Sequence, residues 1–188
     1  MDGDAFPAPE PDILAASFLV QVFAANSSKA AEWLWAGIEG EPQGGIERLG
    51  RLTYDAEELL RLPAAGLPRI SDWLEASVKG DPSRCAVLDG PLRDSKLPLN
   101  LANTAFTVRK TLLEQAANGE ERADHLNSLS VDLARIGSLD EALEAILEAV
   151  DIIRGLAKSR PEVVRTNLAV TLNNLSNPFN ALGTRADA

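Results

Sequence analysis

Apolar residues recur along this chain at intervals of three and four, with no sustained alternation by two, which predicts helices and no strand. Asp12 is placed to cap a helix running to about Ala25. Its Ile13, Leu14, Leu19, Val20, Val22 and Phe23 wrap much of the circumference and call for deep burial or a partner. Asn26 and Ser27-Ser28 break the run, and a second helix covers about Lys29 to Glu39. Gly40, Pro42, Gly44 and Gly45 then predict a loop. Ile46, Leu49, Leu52, Ala56, Leu59 and Leu60 form a helical stripe up to about Leu62, which Pro63, Gly66 and Pro68 interrupt. A short helix around Ser71 to Val78 follows, and Asp81-Pro82 and Gly90-Pro91 punctuate an irregular stretch ending near Pro98.

The second half is more regular. Leu101, Ala105, Val108 and Leu112 form one stripe, with Gly119 as its terminator. A helix from about Glu120 to Arg135 carries Leu126, Leu129 and Leu133, and Gly137 ends it. Leu139 to Lys158 forms the next, and Pro161 stands at a permitted first-turn position of another reaching about Leu182. The chain therefore reads as all-α in three parts: a flexible lead-in over 1–11, a divergent helical region over 12–97, and a repeat region over 98–188.

The repeat is explicit. Leu126-Asn127-Ser128-Leu129-Ser130, Leu133 and Ile136-Gly137 recur 46 residues later as Leu172-Asn173-Asn174-Leu175-Ser176, Phe179 and Leu182-Gly183. A period of this size marks stacked supersecondary units, none of which buries its apolar face alone. Leu129-Ser130, Leu133, the Gly137 turn and the small residues Ala142 and Ala149 resemble the tetratricopeptide repeat family. The long period is similar to the long-helix variety found in kinesin light chains. The resemblance covers about residues 100–188 and implies a right-handed stack of antiparallel helical hairpins, a TPR-like α-solenoid. Pro178 falls inside a first helix and predicts a kink. The stripe Leu168, Leu172, Leu175 and Phe179 would leave an open end for another chain, including a second copy, to cap.

In that family the first helices line a groove for a protein or peptide. The matching positions here are Asp124, Asn127, Val131, Ala134 and Arg135, then Val170, Asn173, Asn177, Asn180 and Ala181. Asparagine can donate to and accept from a peptide backbone, and arginine pairs with a carboxylate. Asn127 and Asn173 stand where the family's two-carboxylate clamp has lysines, which argues against chaperone-tail recognition.

Composition narrows the remaining classes. The 28 acids and 18 bases give a net charge of −10, and neither half has a basic excess, which argues against nucleic acid and anionic membrane surfaces. Met1 to Pro7 lacks a secretory signal's basic start, and the apolar stretch from Ile13 to Ala25 is too short to cross a bilayer, so a cytoplasmic location is expected. Cys85 is the single cysteine and His125 the single histidine, which leaves no multi-cysteine zinc site. His125 is expected on a helix surface, and Arg84 beside Cys85 would lower its thiol pKa. Glu57-Glu58 and Glu120-Glu121 read as solvated or first-turn charges, and of Trp33 and Trp35, two apart, at least one is available for a partner. Gly40, Gly44 and Gly45 lack the Gly-Lys-Ser/Thr of a phosphate loop. The expectation is a non-catalytic adaptor or scaffold without a cofactor; the alternative is a regulatory portion of a larger bacterial signalling or effector protein, as the alanine-rich, acidic composition suggests.

Overall fold

A computed structural model describes residues 13–59, 61, 68–93 and 97–159. The lead-in, the Asp12 cap, the helix expected after Pro161, the Pro178 kink, the second copy of the repeat and its open end lie outside the described residues. Among those described, the chain is helical without a strand. It divides between Ser77 and Val78 into two compact units.

The first unit holds α1 (Ile13–Ala25), α2 (Ser27–Ile38), α3 (Pro42–Thr53), a π-helical turn (Tyr54–Leu59) and α4 (Ile70–Val78) up to Ser77. The loop expected at Pro42 to Gly45 is instead the start of α3. Pro42 occupies the first turn, where its missing N–H is no loss. Gly45 lies so close to α2 that an added Cβ would sit 2.7 Å from Ile38 Cγ2 and 3.0 Å from Ile38 Cα. Here glycine allows two helices to approach rather than ending one. The π turn packs back on α1. Phe23 of α1 meets Trp73 of α4 edge-on at 5.6 Å between ring centres, and Trp33 of α2 lies 6.4 Å away on a tilt. Trp35 and Trp73 are buried while Trp33 remains 42% exposed, so the two neighbouring tryptophans do take opposite environments. Glu57 is not a solvated charge: from the π turn it accepts from the Ser71 N–H at 3.2 Å and from the Ser71 hydroxyl, satisfying the start of α4.

The second unit holds α5 (Pro82–Asp89), 3-10 turns at Pro91–Arg93 and Leu99–Leu101, α6 (Ala102–Gln115), α7 (Gly119–Arg135) and α8 (Leu139–Ser159). The stretch expected to be irregular contains α5, because Asp81-Pro82 is a helix start: Asp81 Oδ1 accepts from the Ser83 and Arg84 N–H groups at 3.0 Å. This helix packs on α6, which places the unit boundary ahead of residue 97. Gly119 likewise opens α7 rather than closing α6. Asn118 accepts from the Glu121 N–H, and Glu121 accepts from the Ala117 N–H, a reciprocal cap. Gly137 does end α7, at φ +87°, with the Ser138 N–H returning to the Leu133 carbonyl.

Successive helices α5, α6, α7 and α8 each pack on the next. The α7–α8 pair is antiparallel, since Gly119 at the start of α7 lies against Ile152 and Leu156 late in α8. Leu126, Leu129 and Leu133 bury against Ala142, Ala145 and Ala149. Each leucine contributes about 1.5–3 kcal/mol of burial, and the alanines leave room for the helices to close up.

Candidate functional site

Helix α7 has the character of a helix packed on three sides. Leu126, Leu129 and Leu133 face α8, while His125, Ser130 and Asp132 are buried as well. Its exposed line consists of Asp124, Val131 and Arg135, spaced seven and four residues apart and hence on one side of the helix. Asn127 and Ala134 flank that line and are half-buried. Val131 is 37% exposed, a branched apolar side chain between two charges. Asn173, Asn177 and Asn180, with Val170 and Ala181, lie outside the described residues.

Both ends of this line are engaged by the chain itself. Arg93, from the turn after α5, donates to Asp124 Oδ2 at 2.6 Å and Oδ1 at 3.2 Å, and to Asp89 Oδ2 at 2.9 Å. Eleven residues along α7, the Arg135 guanidinium donates to the Leu97 carbonyl. The contacts step from 93 to 97 as α7 steps from 124 to 135, so they follow the helix in its own direction.

Behind the Arg93 contact lies a buried charge set that sequence reasoning missed. Arg109 of α6, with a side chain 1% exposed, donates to Asp89 Oδ1 and faces Asp132 Oδ2 across 3.8 Å. That last separation is an ion pair without a hydrogen bond. Arg109 Nε and Asp132 Oδ2 are accordingly buried with no hydrogen-bond partner, as are Thr104 Oγ1 and His125 Nδ1. The only trace in the sequence is charge at apolar register: Asp132 follows Leu129 by three and Arg109 follows Ala105 by four.

Burial dominates the electrostatics at the centre. It pushes the Asp132 carboxyl up to about 6, against the opposing pull of Arg109, Arg135 and Arg93. Burial also draws the Arg109 guanidinium down, against Asp89 and Asp132. At the rim the balance reverses. The hydrogen bond to Asp124 raises Arg93 despite partial burial, and Asp124, which burial alone would raise, is held below its ordinary value by Arg93, His125 and Arg109.

The remaining reactive side chains are packed away. Cys85 is buried, its thiol donates to the Val78 carbonyl, and burial pushes its pKa up. Arg84, expected to lower it, pairs instead with Asp81. His125 is 8% exposed rather than on the surface, because it points away from the Asp124 line into the packed side of α7. Among the described residues no group of three His, Cys, Asp or Glu can hold a metal ion, and no helix is long and apolar enough to cross a membrane.

No protein-family model, curated protein or solved structure matches the chain.

Proposed function

We propose that this chain is a non-catalytic interaction module, an adaptor or scaffold that binds a protein or peptide along the exposed line of α7. The observation that carries this reading is the arrangement of Asp124, Val131 and Arg135. An acid, an apolar residue and a base share one side of a helix whose other sides are fixed by packing. A rigid helix offers such groups at constant spacing, the requirement for recognising a partner's side chains and backbone in register. The packing of α7 between α6 and α8 supports a tetratricopeptide-like hairpin stack as the scaffold. The inward placement of His125 and the raised Cys85 thiol support a role without catalysis.

The test is affinity capture from the source lysate with wild type and an Asn127→Ala, Val131→Glu double variant, matched first for helicity by circular dichroism. A protein retained by wild type and reduced at least tenfold with the variant is the expected result. Equal recovery of every captured protein by both baits rejects α7 as the binding face.

A further inference from the structure

Arg93 and Leu97 do to α7 what a bound peptide would do. A guanidinium sits between two carboxylates, Asp89 and Asp124, and a main-chain carbonyl four residues later receives Arg135. The helical rise separates Asp124 from Arg135 by roughly 16 Å, and four residues of extended peptide reach about 14 Å, so the two long arginine side chains close the difference. The receiving groups are selective. Two carboxylates accept the planar fork of an arginine better than a lysine's single ammonium, and a guanidinium aimed at a carbonyl reads backbone rather than sequence. The protein carries a net charge of −10, which favours a basic ligand at long range as well.

Resting on the reading of α7 as a binding face, we infer that the partner is an extended basic peptide whose arginine enters between Asp89 and Asp124 and whose carbonyl, four residues on, meets Arg135. Arg93 and the Leu97 carbonyl are the chain's own copy of that ligand and hold the face until the partner displaces them. Val131, exposed between the anchors, meets an apolar side chain of the incoming peptide.

The test uses the full chain and a fluorescein-labelled synthetic peptide copying residues 91–99, followed by fluorescence anisotropy. Wild type presents an occupied face, and Arg93→Ala an empty carboxylate pair. The variant is expected to bind the peptide at least tenfold more tightly than wild type. Adding Asp124→Asn to it, or replacing the peptide's arginine with glutamine, should each remove at least tenfold of that gain. Arg93→Gln, which keeps side-chain length and hydrogen bonding without the charge, serves if Arg93→Ala loses helicity. Equal binding by wild type and variant, or no binding by the variant, overturns the inference, as does a gain that survives Asp124→Asn. If the lysate partner is lost by the Asn127→Ala, Val131→Glu variant while the peptide shows no gain, the face stands and the arginine chemistry fails. If both fail, the face itself is rejected.

Discussion

The two units solve the problem of fixing helices in different ways. In the first, α2 and α3 meet through a glycine against Ile38, and aromatic rings from α1, α2 and α4 complete the contact. In the second, α5, α6 and α7 are tied by Asp89, Arg109 and Asp132, a charge set with Arg109 almost wholly inside. Shape complementarity is local and tolerant of pH. A buried charge set is sensitive to the loss of any one member, because the remaining charges are stranded in low dielectric. The units should therefore fail under different perturbations.

The largest effect belongs to Arg109. Arg109→Leu leaves Asp132 and part of Asp89 without their cation, and the expected loss is about 3–5 kcal/mol of unfolding free energy, read by urea denaturation. Replacing Arg109 with Met and Asp132 with Leu together removes both desolvation penalties and should return to within about 1 kcal/mol of wild type. A double variant as unstable as the single would mean that the shape of the arginine, rather than pairing, governs the second unit as shape governs the first.

A smaller but diagnostic effect follows from Asp132. The folded protein holds its proton up to about pH 6, against an ordinary value of 3.8. The unfolded chain therefore releases that proton first as pH rises. The resulting stabilisation is complete below about pH 4 and disappears as pH passes 6, a loss of about 2–3 kcal/mol. Asp124 works in the opposite sense, since its lowered value gives stability that is lost only on acidification. The clean reading is consequently a difference. Urea unfolding of wild type minus Asp132→Asn, taken at pH 4 and at pH 7, should fall by about 2–3 kcal/mol across the interval. No change in that difference would show that Asp132 is ionised in the folded protein throughout.

The contrast between units also explains what the sequence made legible. Leu126, Leu129, Leu133, Ala142 and Ala149 follow the helical period, and they form the α7–α8 interface that the period implies. Glycine was the weak point: Gly44 and Gly45 read as a loop and Gly119 as a stop, whereas each lies within a helix. Local sequence records glycine's freedom but not the neighbouring Ile38 that requires its lack of a side chain. The exposed line of α7 was legible from register alone. Its occupation by Arg93 and the Leu97 carbonyl was not, because those contacts join residues 31 and 38 apart.

Gly45→Ala tests the shape-based unit. Alanine gains about 1 kcal/mol in helix propensity, but its Cβ would stand 2.8 Å from Ile38 Cβ and 3.0 Å from the Ile38 backbone. Backbone cannot rotate aside as a side chain tip can, so α2 and α3 must separate, at about 1–3 kcal/mol. The expected net loss is about 1 kcal/mol, the same at pH 4 and pH 7. A pH-dependent loss would contradict the division drawn between the units.

The smallest effect compares helix starts. Asp81 in the second unit caps α5 by accepting from two N–H groups, so Asp81→Ala removes both bonds at an expected loss of about 1 kcal/mol. Asn26 precedes α2 in the first unit without a capping hydrogen bond; its amide donates instead to the Val22 carbonyl at the end of α1. Asn26→Ala exposes that carbonyl to water in an already exposed turn and should cost only a few tenths of a kcal/mol. Matched urea unfolding of the two variants separates the cases. Equal losses would mean that Asn26 does for α1 what Asp81 does for α5, and that the second unit's reliance on polar contacts is confined to its buried charges.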